Sequence, residues 1–348
     1  MTMAAMPALG TKRPATDADA DANTTTTTTT IVLRSGKRLL PASTPQKKRH
    51  RPPPADDDDA ATQRERFHRG EALIAWLRRH QPTLNLISRE QVLDSEALNL
   101  MNCGIAVLPD AIVESMAELM PRLKLLNLNG NTLYELPPSF ARRLAPQLIE
   151  LRLAGNRLDY LPPNLMHALT RCRVLHLSDN GLRAFNLPSM TQLPLRELLL
   201  SNNRLDHTPN GLRSMKPHLL PHLRVLDLSN NRLQNHYLPD PWPPALQQLS
   251  LEYNQLTRFP RALPASLTLL LLDHNHITSI PTNAVAHLLA LRTLSMQHNA
   301  LTHAALSLAI PPLTSPQSSL PPPPLKELLP SLETVIIHRA PAEQLSSP

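Results

Sequence analysis

The chain has little of what a compact enzyme core uses. Of its 348 residues only 3% are aromatic, eight are glycine and two are cysteine. So few aromatics argue against a conventional packed core and suit a narrow interior filled by stacked aliphatic side chains. No glycine-rich phosphate loop follows a strand pattern, and glycines fall at turn positions such as Gly130 and Gly155. There is no CxxC pair and no GxSxG elbow. The carboxylates have no acid–base partner placed to form a closed catalytic pocket. Neither enzymatic activity nor a bound cofactor is expected. Cys103 and Cys172 fall in different turns of a repeating pattern, too far apart for disulfide geometry, and both read as buried small hydrophobes. The first thirty residues hold no apolar signal segment, and no apolar run is long enough to cross a bilayer. An intracellular protein of nucleus or cytoplasm, without a membrane span, is the expectation.

Charge is less scarce. The net charge is +7, and the obvious basic cluster is Lys37, Arg38, Lys47, Lys48, Arg49 and Arg51. It lies in a head, residues 1–61, that also holds a threonine run from Thr24 to Thr30 and an aspartate run from Asp56 to Asp59. Such composition cannot bury enough apolar surface to offset the entropy of ordering, so the head is expected to be disordered. Lys47, Lys48, Arg49 and Arg51 have the pattern of a nuclear localisation signal for an import receptor. Nucleic acid is the other partner such a cluster attracts, and plain solubility is the third use of the charge. Thr44-Pro45 next to it is a proline-directed phosphosite, where a phosphate would add roughly −1.5 to −2 charges and weaken import.

What the chain has in abundance is leucine at a fixed interval. One unit reads Leu123, Leu126, Leu128, Asn131, Leu133, Leu136, and the next reads Leu148, Leu151, Leu153, Asn156, Leu158, Leu161. With the second leucine as marker, the series runs Leu98, Leu126, Leu151, Leu175, Leu198, Leu226, Leu249, Leu270, Leu294, at steps of 21 to 28 residues. This pattern resembles the leucine-rich repeat family, in its intracellular type without cysteine caps. The resemblance implies an α/β solenoid. Short parallel strands would line a concave face, and turns and short helices a convex one. It also implies a protein or peptide partner bound on the concave face. Proline after the last apolar position, as in Leu136-Pro137-Pro138 and Leu161-Pro162-Pro163, resembles plant-type and bacterial-effector-like members.

Residues 62–97 read as a helical N-terminal cap. Phe67, Leu73, Ile74, Trp76 and Leu77 recur at helical spacing, Gln81-Pro82 ends that helix, and Ser88 with Gln91 gives a capping pattern for a second one. Residues 98–310 form the array. The ladder asparagines, Asn131 to Asn299, are expected to bond turn backbone. Period-two alternation turns the neighbours of each strand leucine outward. The concave binding residues are therefore expected to be Glu150, Arg152, His176, Glu197, Leu199, Asp227, Glu252, Leu271 and Asp273. This surface carries no basic stripe, which argues against a grip on a phosphate backbone.

The interruption between Leu233 and Leu246 brings Tyr237 and Trp242 among prolines and reads as a binding-loop hot spot, or else Trp242 packs on the convex side. His274 and His298 precede ladder asparagines in successive repeats, about 4.8 Å apart by strand spacing. With Asp273 as the conceivable third ligand, no metal site is expected.

Residues 311–324 are proline-rich, 325–339 resume the register as a capping repeat, and 340–348 read as a frayed tail. Pro321 to Lys326 resembles ligands of SH3 or EVH1 domains. The reading is an interaction scaffold or regulator. Two others stay open: a chromatin- or RNA-associated adaptor working through its head, and a secreted effector that mimics host repeat proteins.

Overall fold

In this computed structural model the described residues are 57–185, 187, 192–205, 212, 216–301 and 329–336. The basic head with Thr44, Lys47, Lys48, Arg49 and Arg51, the proline-rich segment with Pro321 to Lys326, and residues 340–348 lie outside them.

Ten three-residue strands form one parallel sheet in sequence order. They are β1 (Ala97–Asn99), β2 (Leu125–Asn127), β3 (Glu150–Arg152), β4 (Val174–His176), β5 (Glu197–Leu199), β6 (Val225–Asp227), β7 (Gln248–Ser250), β8 (Leu269–Leu271), β9 (Thr293–Ser295) and β10 (Thr334–Ile336). Each marker leucine pairs with the next one along, Leu98 with Leu126 and so on to Leu270 with Leu294. The nine markers are at most 2% exposed. Burying a leucine of this kind stabilises by about 1.5–3 kcal/mol before entropy is charged against it. A strand of three residues would not hold alone, so the stack of leucines and the backbone ladder hold it.

The ladder asparagines bind neighbouring repeats to each other. Nδ2 of Asn156 donates to Leu153 O of its own turn at 2.9 Å and to Leu128 O of the previous repeat at 3.0 Å. Its Oδ1 accepts from Leu133 N at 3.1 Å. Asn131, Asn180, Asn203, Asn231, Asn254, Asn275 and Asn299 repeat the arrangement. The residue just before each ladder position is left-handed, with φ between 50° and 67° at Asn102, Gly130, Gly155, Asp179, Asn202, Asn230, Tyr253, His274 and His298. Asparagine, aspartate and glycine adopt that conformation readily and histidine is also enriched in it, whereas tyrosine is strained there. At Gly155 a Cβ would also stand 3.4 Å from the backbone of Gly130.

The return segments are uneven, as their varying lengths require. They carry α3 (Asp110–Leu119), a π-turn at Phe140–Leu144, α4 (Leu165–Ala168), α5 (Thr282–Val285) and single 3-10 turns. Before β1 come α1 (Asp57–His80) and α2 (Arg89–Leu93). Ser88 and Gln91 form a reciprocal capping box at the start of α2.

The helix α1 begins at Asp57, inside the segment expected to be disordered. Aspartates at a helix start are favoured by its positive end, and Ala60 and Ala61 propagate it. Leu73, Ile74 and Leu77 are buried against the first repeat, but Phe67 faces solvent with Arg89 stacked 4.8 Å from its ring. Arg69 ties α1 to Glu118 of α3 at 2.8 Å.

Candidate binding surface

The strand residues on either side of each marker form the candidate surface. Glu150, Arg152, Val174, His176, Glu197, Leu199, Gln248, Leu269 and Leu271 are all half-buried, packed rung against rung with one face open. Glu150 and Arg152 form an ion pair on β3. Arg152 pairs in register with His176, and His176 with Leu199. His176 Nε2 stands 3.9 Å from Glu197 Oε2, outside hydrogen-bond range. Burial, and then the neighbouring Arg152, hold the His176 pKa below its ordinary value. The imidazole is therefore neutral at physiological pH. This part of the surface brings one cation, two anions, a neutral imidazole and apolar Val174 and Leu199 onto three adjacent strands.

Two of the expected binding residues are otherwise engaged. Asp227 is 2% exposed, and its Oδ1 accepts from Ser229 N at 3.0 Å. Asp273 is also buried and accepts from Ser295 Oγ at 2.7 Å and from Gln297 N. Both aspartates hold turns together instead of facing a ligand. A short side chain at these positions reaches the backbone amide two residues on, or one repeat on, before it reaches solvent. Glu252, one carbon longer, is half-buried and its Oε2 accepts from Ser250 Oγ at 3.2 Å. Burial, then hydrogen bonding to Asp273 and its charge, raise its pKa to about 7.

The loop residue Trp242 is also corrected. It is 2% exposed and its Nε1 donates to Arg261 O at 3.0 Å. It fills the core behind a return segment lacking a helix, and is not a surface hot spot. The side chain of Tyr237 lies outside the described residues. Cys172 is fully buried, its thiol pushed up to about 12 by burial. Cys103 is only half-buried, against expectation, because the first repeat's turn has no preceding repeat over it.

Sequence reasoning set His274 beside His298 but missed Tyr253 and the stacking of the rings. Tyr253, His274 and His298 stack face to face along one rim, with 4.1 Å between successive ring centroids. Their shared place before the ladder asparagine was the available signal. Stacked rings hold their nitrogens edgewise and parallel, so the nitrogens do not converge on a point. Among the described residues no three His, Cys, Asp or Glu side chains are grouped to hold a metal, and no helix is long and apolar enough to cross a membrane.

Comparison with known proteins agrees with this architecture. Residues 121–182 match a leucine rich repeat family, and residues 194–215 and 222–243 match a second family of the same description. Podocan-like protein 1 of Mus musculus is 30% identical over 218 residues, 53% of this chain and 39% of that protein. Its Homo sapiens counterpart is 34% identical over 168 residues, 41% of this chain and 32% of that protein. The chain thus spans well under half the length of either relative. The PH domain leucine-rich repeat-containing protein phosphatase 1 of Mus musculus is 28% identical over 38% of this chain, but over only 9% of its own length. Among solved structures, the leucine-rich repeat domain of APL1B superposes with a TM-score of 0.51 at 21% identity, covering 71% of this chain and 65% of that one. With ten in-register strands, a bridging asparagine ladder and these matches together, the chain is a leucine-rich repeat protein.

Proposed function

We propose that the chain is a non-enzymatic scaffold that holds one protein partner against strands β3–β5, and that its basic head directs it to the nucleus. The observation that carries the first part is the mixed surface of Glu150, Arg152, His176, Glu197 and Leu199, set by backbone pairing before any partner arrives. A surface already ordered lowers the entropy cost of association. Its charges would set register with the partner, and Val174 and Leu199 would supply apolar contact. The phosphatase activity in one relative's name belongs to a protein of which this chain covers 9%, and gives no support for catalysis here.

Proximity labelling in native cells tests both parts, comparing the full chain, a chain lacking residues 1–56, and Glu150→Lys/Glu197→Lys. A defined protein neighbour should survive the truncation and disappear with the double substitution, while the truncated chain leaves the nucleus. Neighbours associated with nucleic acid that vanish with the head, and are indifferent to the double substitution, would overturn the scaffold reading.

A further inference from the structure

A column of side chains next to the concave face carries charge that no ion pair among the described residues matches. The residue immediately before each of the ten strands is, in order, Glu96, Lys124, Ile149, Arg173, Arg196, Arg224, Gln247, Thr268, Arg292 and Glu333. An unbroken backbone chain runs down it. Lys124 N donates to Glu96 O, Ile149 N to Lys124 O, Arg173 N to Ile149 O, Arg196 N to Arg173 O and Arg224 N to Arg196 O, and the chain continues to Glu333 N on Arg292 O. These residues are direct rung neighbours, one strand spacing of about 4.8 Å apart.

At both ends the column neutralises itself. Lys124 Nζ lies 2.8 Å from Glu96, and Arg292 lies 3.6 Å from Glu333. One residue outside the column, Arg122 likewise meets Asp94 at 2.8 Å. In the middle three arginines follow one another, just ahead of β4, β5 and β6. Arg173, Arg196 and Arg224 are exposed. Arg171 flanks them, also exposed, and none of the four has an ion-pair partner among the described residues. Like charges directly opposite each other in neighbouring strands repel. No ion pair among the described residues relieves this, although the same column relieves it at both ends.

We propose that Arg173, Arg196 and Arg224 form a docking stripe for an acidic peptide segment of a partner protein. Guanidinium groups bind carboxylates through paired, charge-assisted hydrogen bonds, and all three positions carry the residue suited to that. The residues that follow, Val174 and Val225, are half-buried and adjoin the stripe. They give apolar side chains of an extended peptide a place to lie. A nucleic-acid backbone fits less well. Three strands span only about 10 Å, against the 6–10 phosphate contacts of a typical duplex grip. None of the three arginines belongs to the concave surface of the proposed function, which shares only Val174 with the peptide's path.

Fluorescence anisotropy on the full chain tests the stripe, with a fluorescein-labelled twelve-residue peptide of alternating glutamate and valine as one probe and labelled twelve-nucleotide oligothymidylate as the other. The triple variant Arg173→Gln/Arg196→Gln/Arg224→Gln is set against Arg142→Gln/Arg143→Gln/Arg258→Gln, which removes the same charge from exposed positions elsewhere. Circular dichroism confirms that both are folded, and the single Arg196→Gln variant serves if the triple is not. The stripe variant should raise the peptide Kd at least tenfold, the control less than twofold, and Arg196→Gln about threefold. Equal weakening in both triple variants would mean net charge alone attracts the peptide, and would overturn the proposal. Tighter binding of oligothymidylate that is lost in the stripe variant would overturn it in favour of a nucleic-acid site.

Discussion

At the residue scale, Asn203 shows how one side chain holds two repeats. Its Nδ2 donates to Leu177 O and Leu200 O at 3.0 Å and to Ser201 O at 3.2 Å, while its Oδ1 accepts from Leu182 N at 3.0 Å. Alanine there would leave the buried Leu182 N–H without a partner, while Leu177 O, Leu200 O and Ser201 O each keep one donor, from Asn180, Asn231 and Asp179. The expected loss is about 1–3 kcal/mol, visible as a lower urea midpoint. Ser201→Ala, which removes only a hydroxyl contact to Ser178, should cost less than about 1 kcal/mol. Trp242 belongs with Asn203 as a structural residue. Trp242→Ala should lose about 3–5 kcal/mol by the same measurement, and stability unchanged by it would contradict the buried placement. The sequence located both residues, but it disclosed only the role of the asparagine. Eight recurrences at one offset mark a structural position, whereas a single tryptophan in a proline-rich insertion has no second copy from which to read its direction.

Glu252 supplies a pH dependence at the same scale. Its carboxyl holds a proton in the folded state up to about pH 7, against an ordinary value of 4.5. The folded state then binds more protons than the unfolded one between those values, so stability falls as pH rises from about 4.5 to about 7. Glu252→Gln keeps the shape and cannot ionise. It should remove that slope and stabilise the chain at pH 8 by on the order of 1 kcal/mol, solvent screening of this partly exposed group included. Thermal melts of both proteins at pH 5 and pH 8 check it. A difference no larger at pH 8 than at pH 5 would mean that the folded state does not hold a proton on Glu252.

At the scale of elements, the strands were legible and the helices only in part. A leucine at the second position of every repeat, with outward neighbours on both sides, defines a strand however short it is. The cap was legible where its face meets the first repeat, at Leu73, Ile74 and Leu77. It was not legible at Phe67, because helical periodicity assigns an apolar residue to the buried stripe and cannot see that α2 brings Arg89 over that ring. The start at Asp57 was hidden for another reason. An aspartate run reads as solvated chain by composition and as a helix start by position, and only the helix that follows decides between them. Leu77 is fully buried against the open end of the solenoid. Leu77→Ala should cost about 2–5 kcal/mol. It should also raise binding of a hydrophobic dye, because the leucines of the first repeat lose part of their cover.

At the scale of the whole molecule, repeats that touch only their neighbours make stability nearly one-dimensional, so the ends decide where unfolding starts. The two ends differ. At β1 the marker Leu98 is 2% exposed beneath the cap, whereas at β10 the residue in marker register, Val335, is 41% exposed. The sequence suggested a final strand from its apolar run, but spacing cannot tell whether anything covers that strand's inward side chain. With less apolar area buried, β10 and the rung pairing with it should open at lower free energy than the centre. Amide hydrogen exchange reads this directly. Glu333 N and Thr334 N, which donate to Arg292 O, should exchange at least tenfold faster than Arg196 N and Glu197 N, which donate to Arg173 O in the same geometry. The two pairs are chemically alike and differ in distance from an end. Equal protection would mean that the array opens as one unit, and end effects would then have no part in how this solenoid meets its partners.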